Sequence, residues 1–144
     1  MTAKPALPPV AAPASEDGTL LSFPKGLVGF PQFTAYRLFE PADGFPLKFL
    51  QAVGAEEVSF TCIDPVSIKA DYEVPLASED AEALGLETPE DAMVLTLVVV
   101  PENPRRMTAN LAGPLVINIK TKRGFQIVLN AEHYPLRFPI LPQD

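Results

Sequence analysis

The chain has 144 residues, 47% hydrophobic and 20% charged, which is the size and balance of one folded domain and excludes a wholly disordered polymer. A formal charge of −7 argues against a phosphate-backbone partner, because nucleic-acid affinity is largely cationic neutralisation. Seventeen prolines and eight glycines favour short segments and tight turns over long helices, since interior proline removes a helix hydrogen bond.

In chain order, residues 1–17 are rich in proline and alanine and nearly free of bulky apolar groups, so a disordered tail is expected there, with the ordered domain running from 18 to 144. Strands are predicted over Thr19–Phe23, Thr34–Phe39, Phe45–Ala52, Val58–Ile63, Met93–Val100, Leu115–Lys120 and Gly124–Asn130, each short and rich in Val, Ile, Phe, Leu or Thr. Between the first two, Gly26-Leu27-Val28-Gly29 reads as a turn that returns Phe23 and Phe30 to the core. Ser78 is placed to cap a short helix over Glu79–Leu84 that Gly85 closes, and Thr88-Pro89-Glu90-Asp91 reads as a second capped turn. Met93–Val100 is almost continuously apolar, the pattern of a strand covered on both faces. Lys120–Gly124 fits a hairpin connection in which Gly124 supplies a positive φ. Tyr134–Pro142 alternates apolar residues with proline, as an edge segment does. The fold class is all-β: a small antiparallel, barrel-like single domain with one or two short helical turns.

Charge is unevenly spread. Between Glu40 and Asp91 lie thirteen acids and two lysines; between Arg105 and Arg123 lie five bases and no acid. Such an acidic half steers a basic protein partner or simply keeps the chain in solution. No apolar run is long enough to span a membrane, and Met1–Ser15 lacks the apolar stretch of a signal peptide. Cytoplasmic residence is the expectation, with which the single cysteine, Cys62, is compatible.

Catalytic and metal chemistry find little support. One histidine, His133, and one cysteine, Cys62 within a strand pattern, offer neither a nucleophile–base pair nor a zinc site. Glu56 and Glu57 are adjacent on a predicted strand and point to opposite faces, so they cannot cooperate as an acid–base pair. Gly26–Gly29 lacks the helices and basic flanks that an RNA-binding glycine loop requires. No cofactor is called for, and no catalytic residue is proposed. Amides among aliphatics are more telling: Asn110, Asn118 and Gln126 must find hydrogen-bond partners if buried, as structural brackets or as part of a recognition face.

An ordered set of motifs spans residues 18 to 140. It comprises Phe23-Pro24-Lys25-Gly26-Leu27-Val28-Gly29-Phe30, Phe45-Pro46-Leu47-Lys48-Phe49-Leu50-Gln51-Ala52, Phe60-Thr61-Cys62-Ile63-Asp64-Pro65 and Asp71-Tyr72. Thr108–Asn118, Gln126–Leu129 and Tyr134-Pro135-Leu136-Arg137 complete it. The set resembles the FliW family of flagellar assembly factors. Val28 stands where that family usually has proline, and Gly113 where it usually has alanine.

The resemblance implies a non-enzymatic β-barrel, expected to be a monomer when free, that binds the RNA-binding regulator CsrA and relieves its repression of flagellin synthesis. It also implies binding of flagellin itself, which would release CsrA in a partner switch; a dedicated flagellin chaperone without a translational role is the alternative. Candidate partner-binding residues within or beside the matched motifs are Asp64, Asp71, Tyr72 and Glu73, with Glu56, Glu57, Asn110, Asn118 and Gln126.

Overall fold

The computed structural model describes residues 18–41 and 46–141. The expected tail of residues 1–17, Phe45 of the third predicted strand and Pro142 of the predicted edge segment lie outside these residues. Nine strands are present among the described residues: β1 Thr19–Ser22, β2 Ala35–Phe39, β3 Leu47–Ala52, β4 Ala55–Ile63, β5 Ala92–Val99, β6 Thr108–Ala109, β7 Leu115–Asn118, β8 Arg123–Gln126 and β9 Phe138–Pro139. One helix, α1 (Ser78–Leu84), and 3-10 turns at Pro65–Ser67, Pro89–Asp91 and Pro104–Arg106 complete the elements.

The strands form one sheet that closes on itself. Its order runs β4-β3-β2-β1-β8-β7-β5, and β4 pairs again with β5, so seven strands make a barrel. All seams are antiparallel except β1–β8, where Ser22 faces Arg123 in parallel and the Ser22 N–H donates to the Lys122 carbonyl at 2.8 Å. Closure removes the open edges that an isolated sheet of this size would expose. Short β6 and β9 extend β5 outside the barrel, and β9 is the edge strand expected in the C-terminal segment.

Along β5 the partner strand is interrupted. Leu95 faces Leu115 in β7, whereas Val98 faces Ala109 in β6, so three steps along β5 correspond to six along its partner. The extra residues loop out as Asn110–Pro114, with Leu111 and Ala112 buried. Beyond β8, the Ile127 and Leu129 N–H groups still donate to the Pro114 and Ala112 carbonyls, at 2.8 and 2.7 Å. The predicted strand through Asn130 therefore ends at Gln126 as a regular strand and continues as a looser pairing.

Alternation fills the barrel. Leu21, Phe23, Tyr36, Leu50, Phe60, Cys62, Leu95, Leu115 and Ile117 pack inside, with Phe30 against them. Phe23 and Tyr36 meet edge to face at 5.7 Å between centroids, and Phe30 meets Phe60 likewise at 5.4 Å. The Gly26–Gly29 turn returns both phenylalanines to the core as its spacing predicts, with Gly26 and Gly29 at φ of 68° and 88°. Burial drives the Cys62 thiol up to about 12, the state of a packed, unreactive group.

Two local expectations are corrected. The residue preceding α1 at its N-cap position is Ala77, and Ser78 is the first helical residue with no capping side chain before it. Gly85 does close the helix, at φ 72°. In the β7–β8 connection the positive φ belongs to Lys122, at 66°, and not to Gly124. Gly124 is required for space instead: a Cβ there would stand 2.9 Å from both Ile117 and Phe23.

The Tyr36 hydroxyl is fully buried and meets no hydrogen-bond partner among the described residues. Tyr36→Phe is therefore expected to leave stability within about 1 kcal/mol of the parent or to raise it, whereas Leu50→Ala in the same core should cost about 2–5 kcal/mol. Urea denaturation of both variants checks this; a loss above about 2 kcal/mol in Tyr36→Phe would mean the hydroxyl is bonded.

Candidate functional site

Among the described residues, the connection between β4 and β5 covers one outer side of the barrel. There the chain leaves β4 at Asp64, turns through Pro65–Ser67, runs extended past Tyr72, Val74 and Leu76, forms α1, and returns through Leu86 and Pro89 to β5. Alternation in the extended stretch sends Tyr72, Val74 and Leu76 toward the barrel and leaves Asp71, Glu73 and Pro75 exposed. The inward set joins two outer clusters, one around Ile63, Ala109 and Leu111 and one around Leu84, Val116 and Phe125.

Between this layer and the strands lies an open groove of about 440 Å³. Val94 and Val116 form its floor, and Tyr72, Leu76, Val66 and Leu86 form its walls. Val66 remains 51% exposed at the lip.

The candidate acids fall into two separated groups. Asp64 is exposed and caps the first 3-10 turn, accepting from the Val66 N–H at 3.0 Å. Asp71 is exposed and paired with Lys69 at 2.7 Å, and that hydrogen bond and charge hold its carboxyl below the usual range. Glu73 is exposed beside it. Glu56 and Glu57 are also exposed, but they lie at the other end of β4 from Asp64, roughly 25 Å away at about 3.3 Å per residue.

Tyr72 is not a surface residue. It is 7% exposed, its hydroxyl donates to the Leu111 carbonyl at 2.7 Å, and its ring meets Tyr134 edge to face at 6.0 Å. Burial, with Tyr134 beside it, lifts its hydroxyl to about 12. The residue ties the outer layer to the looped-out segment between β6 and β7.

All three amides bond within the chain. The Asn110 Oδ1 accepts from the Ala112 N–H at 2.9 Å and shapes the looped-out turn. Gln126 donates to the Gly113 carbonyl at 2.9 Å and accepts from the Val28 N–H at 2.7 Å, joining that turn to the Gly26–Gly29 turn. Asn118, 2% exposed, donates to the Leu84 carbonyl at the end of α1 and accepts from the Lys120 and Thr121 N–H groups, at 2.8, 2.8 and 3.2 Å. One side chain therefore fastens the helix end to the β7–β8 turn.

Asp91 works similarly. Its carboxylate accepts from the Glu87 and Thr88 N–H groups at 3.0 and 3.1 Å and meets the Lys120 ammonium at 3.1 Å. These contacts, the Glu87 amide foremost, hold its carboxyl below the usual range. The capped-turn pattern Thr88-Pro89-Glu90-Asp91 announced this residue; nothing in the sequence pattern announced the groove. Among the described residues no cluster of three or more His, Cys, Asp or Glu side chains is arranged to hold a metal ion. Nor is any helix long and apolar enough to cross a membrane.

These elements define a closed seven-stranded β-barrel with a one-sided outer layer and an open apolar groove beneath it. The chain belongs to the FliW family, whose model, described as "FliW protein", matches residues 11–140. It is 39% identical over 122 residues to a flagellar assembly factor FliW of Natranaerobius thermophilus, covering 84% of this chain and 81% of that one. Its counterpart in Thermotoga maritima is 33% identical, with 84% and 82% covered. A crystal structure of the flagellar assembly factor FliW superposes with a TM-score of 0.80 at 26% identity, covering 87% of both chains.

Asn118→Ala would leave a helix-end carbonyl and two turn N–H groups without their partner, and a loss of about 2–3 kcal/mol is expected in urea denaturation at neutral pH. Asp91 differs because it titrates. Its folded pKa lies below the unfolded value near 3.9, so its stabilisation is present above about pH 4 and is lost as pH falls through the lowered value. Asp91→Asn should therefore flatten the acid limb of the stability–pH curve, and an unchanged limb would refute the assignment.

Proposed function

We propose that this protein is a flagellar assembly factor that acts by binding other proteins and not by catalysis. Its partner on this reading is CsrA, whose repression of flagellin synthesis it relieves, with flagellin as the competing ligand in a cytoplasmic partner switch. Family membership carries the proposal, through relatives that are named flagellar assembly factors over most of their length. The electrostatics favour it: an RNA-binding partner is basic where it meets phosphate, and this chain is strongly acidic.

Asp71 and Glu73 are the residues assigned to steering that encounter, with Asp64 at the edge of the same face. Tyr72, Asn110, Asn118 and Gln126 act on this reading by holding the surface in shape, since their polar atoms already bond within the chain. The proposal centres the contact on Asp71 and Glu73; Glu56 and Glu57, roughly 25 Å from Asp64 along β4, join it where the interface extends that far. The free protein is taken as a monomer.

Isothermal titration against CsrA, alone and with flagellin already bound, tests the switch: tight binding that flagellin abolishes is expected. With Asp71→Lys and Glu73→Lys combined, association measured by stopped flow should slow roughly ten-fold at low salt and lose much of its salt dependence. Binding to flagellin with no heat from CsrA would replace this account with a dedicated flagellin chaperone. An unchanged rate and salt slope in the folded double variant would remove Asp71 and Glu73 from the contact.

A further inference from the structure

We infer that the groove beneath the outer layer receives a short cationic segment of a partner protein, seated by apolar anchor side chains and held by the acids around them. The inference rests on the reading above that the chain acts by protein binding, and adds which part of the surface supplies affinity. Its volume of about 440 Å³ falls within the range of sites that hold discrete ligands, roughly 300–1,000 Å³. Val66 stands half in solvent at its lip, and Val94, Val116, Leu76, Leu86 and the Tyr72 ring make an apolar interior. A concave, mostly apolar lining with a few polar groups at its edge is the composition of a ligand-binding site.

The charge around it selects the occupant. From Asp64 to Asp91, the segment that builds the walls carries nine acids and one lysine. Asp71 and Asp91 are paired with Lys69 and Lys120, but Glu73, Glu79, Glu82, Glu87 and Glu90 are exposed and in no ion pair among the described residues. Glu87 itself lines the groove. A second copy of this chain would bring the same negative wall against this one, and an anionic membrane would be repelled by it. A lysine- or arginine-flanked segment with leucine-like anchors satisfies both the cavity and the rim.

The probe is a 14-residue fluorescein-labelled peptide of lysine and leucine, with leucine at every third or fourth position, followed by fluorescence anisotropy. The parent protein should bind it, and replacing its leucines by alanine or its lysines by glutamate should weaken binding at least ten-fold. Val66→Asn, which removes an apolar wall group at an already exposed position without changing the charge, should weaken binding by a similar factor. Ala81→Leu, which fills the groove from α1 without adding charge, should do the same. Equal binding of the leucine and alanine peptides, or unchanged binding by both variants, would overturn the inference, as would tighter association of the protein with anionic vesicles or with itself at the groove.

CsrA titrated in parallel separates the two claims. If CsrA binds the parent and Val66→Asn alike while the peptide ignores the groove, the groove inference falls and the proposed function stands. If the peptide binds through the groove and CsrA does not bind at all, the groove inference stands and the CsrA reading falls.

Discussion

The structure depends on β5 being buried on both faces. Leu95 and Leu97 point into the barrel, while Val94 and Val98 point out into the clusters under the outer layer. Burying such side chains contributes about 1.5–3 kcal/mol each, so both layers draw on the same strand. Between them Thr96 is fully buried, and its hydroxyl donates to the Ile63 carbonyl at 3.1 Å, satisfying a polar group within the β4–β5 seam. This seam closes the barrel, and the connection between its two strands is the segment that covers it. Closure and coverage are thus one event: the chain from Asp64 to Asp91 leaves one edge of the seam and returns to the other.

Polar side chains then fix what the apolar surfaces only bring together. Asn118 spans α1 and the β7–β8 turn, Gln126 spans two turns at the barrel mouth, and Tyr72 spans the outer layer and the looped-out segment. Val28 and Gly113, two turn residues, serve the same network. Val28 provides the N–H that Gln126 accepts, a donor that proline lacks. Gly113 leaves room for the same side chain, because a Cβ there would stand 2.9 Å from its amide nitrogen. In this chain the two positions together accommodate one well-bonded glutamine.

Period-2 runs of Val, Ile, Leu and Phe made the strands legible, and the nearly unbroken apolar run from Met93 marked the doubly covered strand. Closure was not legible, because Thr61 and Val98 pair across 37 residues with no local signal, and the parallel seam rests on one residue pair. Gly124 drew the turn assignment because glycine usually takes a positive φ, whereas here packing required glycine and Lys122 took the strain. The acids were visible one by one, but their division between two ends of β4 needed the register. Tyr72 sits in a polar stretch, and only the alternation imposed by the extended path shows that it turns inward while Asp71 and Glu73 do not. The groove was hidden for a similar reason, since its lining is drawn from the Pro65 turn, the extended stretch, α1, the return to β5, and strands β5 and β7.

The picture is of a barrel packed inside with apolar side chains, whose covered side combines an apolar groove with an unneutralised acidic rim. The polar groups of Tyr72, Asn110, Asn118 and Gln126 are already bonded within the chain, leaving carboxylates and aliphatic side chains as the surface open to the proposed partner. Hydrogen–deuterium exchange of this protein with and without CsrA tests that picture most directly. Protection on binding concentrated between residues 64 and 91, with the β3–β4 hairpin around Glu56 and Glu57 unchanged, is the predicted result. Protection at that hairpin instead, with the 64–91 layer exchanging as in the free protein, would contradict it.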